Sequence, residues 1–153
     1  MPTIAGTPLE EIGMDSMKIY TDGSGRANGN GGVGVVWVKD GKKIYEFSKG
    51  YTNTTNNRME LIAIYIALKS IKKPLESLEI ISDSEYSIGV LTKPWNPKKN
   101  IVLIKVIKKQ LEECQKLVNT PIKFTHVRGH QKDDSEDTKW NNYCDKLCTN
   151  ASS

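Results

Sequence analysis

The spacing of apolar residues changes partway along the chain, and this change limits the fold more than any other feature of the sequence. Three β-prone segments come first, at residues 18–22, 33–38 and 43–51, and a turn signal at 39–41 joins the last two. From residue 58 to residue 71 the apolar spacing lengthens from two to about 3.6, which predicts an amphipathic helix. The chain is therefore expected to begin as an antiparallel meander and to continue with a helix.

The rest of the chain mixes strands with helices. We predict strands at 78–82 and 122–127, and helices at 85–91, 100–118 and 140–151. The resulting order, βββαβααβα, implies right-handed crossovers after the meander. The predicted fold class is therefore α/β, with a mixed five-stranded sheet and helices packed on it.

The length of 153 residues fits one domain whose core needs no disulfide or metal to stabilise it. We assign residues 17–151 to this domain, residues 1–16 to an N-terminal extension and residues 152–153 to a C-terminal tail. The stretch GSGRANGNGGVG at 23–34 contains too many glycines for a regular element, so we predict a loop there. The polar and charged segment 128–139 is predicted to be a second loop.

The composition narrows the class of protein only slightly. A net charge of +4 gives a modest bias toward polyanionic partners, although a solvated lysine surface explains the charge more simply. Three cysteines cannot close a disulfide framework and residues 1–16 lack a secretory signal pattern, so we expect a cytosolic protein. No apolar run is long enough to span a bilayer, so no membrane partner is expected. Cys144 and Cys148 lack further partners at metal-finger spacing and are interpreted as packing residues.

Two aspartates and one glutamate stand where α/β folds build their sites. Asp22 ends the first predicted strand and Asp83 ends the strand after the first crossover, so parallel pairing would bring both to one sheet edge. Asp22 alone, followed by glycine, is far more typical of a turn than of a site. Glu60 lies in the first turn of its helix, above an apolar stripe that continues through Ile64 and Ala67. A favourable interaction with the helix dipole would also explain a glutamate in the first turn. It would not explain why Glu60 lies on the apolar face of the helix.

Five short segments, in this order and spacing, give the chain a specific likeness. They are YTDGS at 20–24, TTNNRMEL at 54–61, SDSEY at 82–86, RGH at 128–130 and NYCD at 142–145. Together they resemble the successive motifs of type 1 ribonuclease H, and the resemblance covers the chain from Met17 to about Ala151.

The resemblance implies an endonuclease that hydrolyses the RNA strand of an RNA–DNA hybrid and leaves 5′-phosphate and 3′-hydroxyl ends. Asp22, Glu60, Asp83 and Asp145 would then be four acidic ligands of two Mg²⁺ ions, with Mn²⁺ as the alternative metal. His130 matches the family's loop histidine, which acts there in proton handling or product release; a surface histidine is the simpler interpretation without the resemblance.

The resemblance also implies which residues contact the hybrid. Asn28, Asn56 and Asn57 match minor-groove contacts, and Thr55 matches part of a pocket for a DNA phosphate. Helix capping and turn formation would account for one of these four residues without any nucleic acid. Trp95 is assigned either to stacking near the DNA strand or to core packing, with equal weight. The expected partner is the hybrid duplex alone, bound by a monomer.

The chain departs from the family pattern at three places. Glu85 replaces a glutamine that many members carry, the segment 92–100 is too short for a basic protruding helix, and the loop after His130 carries four acidic residues within 133–137. Two alternatives stay open. One is a catalytically silent nucleic-acid-binding member of the fold, which the loss of any one acidic ligand would have favoured, although all four are present. The other is a ribonuclease H domain derived from a reverse transcriptase, on which residues 1–16 do not decide. The TTNNRMEL segment argues against a third, an integrase-like enzyme of the same superfamily.

Overall fold

A computed structural model describes residues 15–153 of the chain. In that part of the chain one five-stranded sheet carries helices on both faces. The elements in chain order are β1 (Ser16–Gly25), β2 (Gly31–Lys39), β3 (Lys42–Tyr51), α1 (Asn56–Lys69), β4 (Ser77–Ser82), α2 (Glu85–Thr92), α3 (Ile101–Gln115), β5 (Lys123–His126) and α4 (Glu136–Ala151).

The strand order is β3-β2-β1-β4-β5, which confirms the predicted mixed sheet. The first three strands form the antiparallel meander, with β2 paired to both β1 and β3. After the helical crossovers, β4 pairs in parallel with β1, and β5 pairs in parallel with β4. The carboxyl ends of β1, β4 and β5 therefore lie at the same edge of the sheet.

The glycine-rich stretch is not the loop that we predicted. β1 runs on to Gly25 and β2 begins at Gly31, so only residues 26–30 form a turn between the strands. A Cβ atom on Gly23 or Gly25 would overlap backbone atoms of α1, and a Cβ on Gly34 would lie 2.6 Å from the carbonyl oxygen of Cys144 in α4. These glycines therefore allow helix backbones to approach the strands closely. The low strand propensity of glycine, on which the loop prediction depends, carries no information about such contacts.

The core has one layer on each face of the sheet, because successive strand residues point to opposite sides. Ile19 of β1 packs with Met59 and Ile64 of α1 in the larger cluster, whereas Tyr20 packs with Trp140 and Cys144 of α4 in the smaller one. Most of the remaining α1 side chains in the larger cluster are also fully buried. None of the described helices is both long and apolar enough to cross a bilayer.

Packing reaches residues that we had assigned to the two ends of the chain. The Asp15 carboxylate lies 2.6 Å from Lys39 Nζ, and Ser16 is in register with Ser77 of β4. Ser152 is buried; its hydroxyl accepts from Arg26 Nε at 3.0 Å, so it belongs to the folded unit and not to a tail. The remainder of the predicted extension, residues 1–14, lies outside the described residues.

The last helix also begins earlier than predicted. It starts at Glu136 and not at Trp140, because the hydroxyl of Ser135 accepts a hydrogen bond from the backbone N–H of Thr138 at 3.1 Å. Glu136 and Asp137 then place negative charge in the first turn, where the helix dipole favours it. The predicted loop is therefore shorter by four residues, and α4 extends from the end of this loop to Ala151.

Candidate active site

The register of the parallel strands brings Asp22 and Asp83 together. The last aligned pair of β1 and β4 is Thr21 with Ser82, and each aspartate is the next residue of its chain segment. Glu60 reaches the same place from α1, because Gly23 lets the helix backbone lie against the strand. One carboxylate oxygen from each of Asp22, Glu60 and Asp83 lies within 4.8 Å of the others. The strand-end argument from the sequence therefore leads to a real cluster.

Asp145 joins the cluster from the opposite face of the sheet. α4 is held to β1 by the hydroxyl of Tyr20, which donates to Asp137 Oδ1 at 2.5 Å. Further along α4, one carboxylate oxygen of Asp145 lies within 4.8 Å of an Asp22 oxygen and of the Cys148 sulfur. Asp22 is thus the common neighbour of the other acidic side chains, at the centre of the site.

The carboxylates are buried without the partners that buried charge normally requires. Asp22 is only 2% exposed and Glu60 only 6%. The backbone N–H of Gly23 donates to Asp22 Oδ1 at 2.8 Å, but Asp22 Oδ2, Glu60 Oε1 and Asp83 Oδ1 have no hydrogen-bond partner among residues 15–153. Over the same residues, no Lys or Arg forms an ion pair with any member of the cluster.

The pKa values of these groups reflect their crowding. Burial, together with the charges of Asp83 and Asp145, raises the pKa of Asp22 to about 8. Burial and the charges of Asp22 and Asp83 likewise raise the pKa of Glu60 well above its ordinary value. A hard divalent cation would neutralise Asp22 and Glu60 once they ionise, and Mg²⁺ prefers carboxylate oxygens as ligands. The side chains present therefore fit a divalent metal site.

His130 lies at the rim of the cluster and not within it. Its Nδ1 is 3.9 Å from Asp145 Oδ2, and its side chain is 79% exposed. The residue adopts a left-handed backbone conformation, with φ of 58°, directly after Gly129, which packs near the carboxylate of Asp83. An exposed imidazole beside a half-buried carboxylate can exchange protons with solvent, so its position suits a proton-transfer role.

The predicted polar contacts to the hybrid, those other than Trp95, form one surface beside the start of α1. Thr55 caps the helix by accepting from the backbone N–H of Arg58 at 3.2 Å, and Asn56 Oδ1 accepts from the backbone N–H of Gly25 at 3.1 Å. Asn28 lies exposed in the turn between β1 and β2, where its Oδ1 accepts from the Asn30 N–H.

The turn and the helix start are fixed to each other. The backbone N–H of Thr54 donates to the Gly29 carbonyl at 2.9 Å, so Asn28 is held close to the capping residues. Asn57, in the first turn of α1, is exposed. Capping accounts for Thr55, as the simpler interpretation allowed. Asn28 and Asn56 use their side-chain oxygens as acceptors, and within residues 15–153 the side-chain N–H groups of Asn28, Asn56 and Asn57 donate to no protein group.

Trp95 lies apart from the carboxylates. Its ring packs directly on Gly89 of α2, where no side chain could fit beneath it, and Lys93 Nζ lies 5.4 Å from the ring centroid. The side chain is nevertheless 42% exposed. Trp95 is therefore a surface residue with one packed edge, and it is neither a core residue nor part of the acidic cluster.

Two features of the site escaped the sequence analysis. Cys148 is buried as expected, but its sulfur also faces Asp22 and Asp145, a relation signalled only by its place three residues after Asp145. In addition, Arg58 Nη1 donates to Asn100 Oδ1 at 3.4 Å, and Asn100 Nδ2 donates to the Tyr86 hydroxyl at 3.4 Å. This chain of contacts joins the starts of α1, α2 and α3, and the only sequence signal for it is Arg58 within TTNNRMEL.

Comparison with known proteins agrees with this arrangement. Residues 14–153 match the RNase H family. Proteins named Ribonuclease H from Clostridium botulinum (strain Hall) and Trichodesmium erythraeum are 38% and 35% identical to the chain, covering 90% and 88% of it and 96% and 87% of their own lengths.

Solved structures share the fold at lower identity. RNase H1 from Halobacterium salinarum superposes with a TM-score of 0.69 at 23% identity, over 89% of this chain and 96% of that one. LC11-RNase H1, solved in complex with an RNA/DNA hybrid, gives a TM-score of 0.66 at 23% identity over the same shares. The matched family, the named relatives and the shared fold together show that this chain belongs to the ribonuclease H family of hydrolases.

Proposed function

We propose that the protein is an endonuclease that hydrolyses the RNA strand of RNA–DNA hybrids and leaves 5′-phosphate and 3′-hydroxyl ends. The observation that carries this proposal is the set of buried, unpartnered oxygens on Asp22, Glu60 and Asp83, with Asp145 beside them. Carboxylates arranged in this way cost stability unless a cation binds, so their purpose is more readily chemical than structural. The names of the relatives and the hybrid in the LC11 complex support the choice of substrate.

The proposed cofactor is Mg²⁺, with two ions held by Asp22, Glu60, Asp83 and Asp145. A pair of such ions, when bound, supplies charge stabilisation to an in-line displacement at phosphorus. Asp22 is the natural shared ligand because it is next to all the other carboxylates. The Gly23 N–H fixes one Asp22 oxygen in place, which leaves the other free for an ion.

The other residues of the site would bind the duplex and move protons. The amide donors of Asn28, Asn56 and Asn57 suit the minor-groove edge of a hybrid, where bases and 2′-hydroxyls present acceptors. His130, exposed at the rim, would carry a proton between the reaction and solvent. All these groups come from a single chain, so the proposed active unit is a monomer.

The decisive experiment offers the protein three labelled substrates: an RNA–DNA hybrid, double-stranded DNA and single-stranded RNA. We expect cleavage of the RNA in the hybrid alone, with Mg²⁺ and not with chelator. Asp22→Asn should abolish it, whereas Asp134→Asn, which removes the same charge from the exposed loop, should not.

The outcomes also separate the competing functions. Binding of the hybrid without any cleavage would favour the catalytically silent alternative. Cleavage in chelator, or equal cleavage of all three substrates, would contradict the proposal.

A further inference from the structure

A thiol lies directly against the acidic cluster. Cys148 follows Asp145 by one turn of α4, its side chain is fully buried, and its sulfur lies within 4.8 Å of oxygens from both Asp22 and Asp145. The sulfur donates to the Asp145 backbone carbonyl at 3.3 Å. Asp22 Oδ2, on the 2% exposed Asp22 side chain, has no hydrogen-bond partner among the described residues.

A sulfur ligand in this position would favour softer metal ions than carboxylate ligands alone do. Mg²⁺ takes oxygen ligands, whereas thiolate sulfur selects softer ions such as Zn²⁺ and Cd²⁺. One sulfur and two carboxylate oxygens, completed by water, give such an ion four ligands of the kinds that it binds in proteins. Asp22, Asp145 and Cys148 therefore differ in kind from the all-oxygen set of Asp22, Glu60 and Asp83.

The three ligand atoms need only a small movement to close on one ion. Metal–sulfur and metal–oxygen distances of about 2.3 and 2.1 Å put tetrahedral ligand atoms roughly 3.3–3.7 Å apart. The present separations, all within 4.8 Å, would have to shrink by at most about 1.5 Å. Asp145 can supply this movement, because its side chain is 35% exposed and its ion-pair geometry among residues 15–153 is limited to His130 at 3.9 Å.

We propose that Asp22, Asp145 and Cys148 form an inhibitory site for a thiophilic divalent cation of the Zn²⁺ or Cd²⁺ type. Binding would break the S–H bond of Cys148, release its proton to solvent and form a metal–sulfur bond, with no change of oxidation state. The site shares Asp22 and Asp145 with the proposed Mg²⁺ ligands, so a soft cation and Mg²⁺ exclude each other. The inhibitory effect rests on the proposed function, whereas the binding itself does not.

The test titrates metal-free protein with Cd²⁺ and follows the ultraviolet sulfur-to-cadmium charge-transfer absorption. We expect one equivalent per chain to produce the band in the wild type. Cys148→Ala should remove the band and raise the Cd²⁺ dissociation constant at least about 10-fold. The matched controls Cys114→Ala and Cys144→Ala should keep the band, because Cys114 lies in the core of the other face and the Cys144 sulfur donates to the Tyr20 carbonyl.

A second variant and two further measurements test the same site. If Cys148→Ala does not fold, as judged by circular dichroism, Cys148→Ser keeps the size and the bond to the Asp145 carbonyl and should lose the band in the same way. Added Mg²⁺ should reduce the wild-type band in a competitive manner. In the cleavage assay, Cd²⁺ should inhibit the wild type at concentrations at least about 10-fold lower than those that inhibit Cys148→Ala.

The results distinguish this inference from the function on which its effect depends. A band that persists in both Cys148 variants, or Cd²⁺ binding without any band, would overturn the thiol site even if hybrid cleavage is normal. A Cys148-dependent band in a protein that cleaves no hybrid would support the site and contradict the proposed function instead.

Discussion

Replacing Asp22 with asparagine should stabilise the metal-free protein, although it should destroy activity. The substitution keeps the size of the side chain and an oxygen to accept from Gly23, but it removes a carboxyl group that the metal-free fold must keep protonated well above its ordinary pKa. The stability of the variant therefore measures how strongly the carboxylates oppose one another. A residue placed for folding alone would give the opposite result.

The size of the effect follows from the raised pKa of Asp22. An unfolded chain releases this proton near pH 3.8, whereas the folded protein holds it up to a pKa of about 8. At pH 7 the gap of roughly three pH units costs the folded state up to about 4 kcal/mol. Because Glu60 shares this cost with Asp22, we expect Asp22→Asn to gain about 1–4 kcal/mol.

The sign of the pH dependence is fixed by the same pKa. At pH 4.5 the unfolded Asp22 is itself partly protonated, so the gain should shrink to about 1 kcal/mol or less. The assay is urea unfolding with chelator at pH 7 and pH 4.5, with Asp134→Asn as a control of equal charge. A variant less stable than wild type at pH 7, or a gain that grows as the pH falls, would refute the reasoning.

Three other predictions concern the loop, the packing and the metal. His130→Ala should lower kcat for hybrid cleavage by about 10- to 100-fold while the Mg²⁺ dissociation constant stays within about twofold, because the role that we propose for the imidazole is proton transfer and not metal binding. Gly34→Ala should lower the free energy of unfolding by about 2–4 kcal/mol, because the new Cβ would lie 2.6 Å from the carbonyl oxygen of Cys144. The control Gly41→Asn, in an open turn with φ of 76°, should change the free energy of unfolding little. The affinity for Mg²⁺, measured by calorimetry, should weaken as the pH falls from 8 to 6, by up to about 10-fold per pH unit for each proton displaced. An affinity that does not depend on pH would contradict the raised pKa values of Asp22 and Glu60.

Much of the candidate site can be predicted from the sequence, because the positions of its residues follow from local patterns of strands and helices. Asp83 follows β4, Asp22 lies in β1 just past its last position paired with β4, and the parallel register of Thr21 with Ser82 is enough to bring the two aspartates together. Glu60 was recognisable because it carries a charge on the apolar face of α1, where the structure indeed buries it. Asp145 looked like an ordinary surface residue, and only the resemblance to a family singled it out.

The features that were missed depend on how closely separate elements approach each other. Gly23 and Gly34 suggested a loop by composition, but they lie where helix backbones press on β1 and β2. Ser152 looked like a tail residue until Arg26 was found to bond to it. Cys148 was interpreted as packing, since burial is what its residue type predicts, and its contact with two carboxylates follows only from the placement of α4.

The central claim is that four distant carboxylates meet to hold a pair of divalent cations. Anomalous scattering from Mn²⁺, in crystals of the Asp145→Asn variant with an RNA–DNA hybrid, tests it most directly, because the amide oxygen can still coordinate while the lost charge slows cleavage. We predict two peaks about 4 Å apart, bounded by residues 22, 60, 83 and 145 and by one phosphate of the RNA strand. Peaks bound by other residues, or no peak among these four, would contradict the claim.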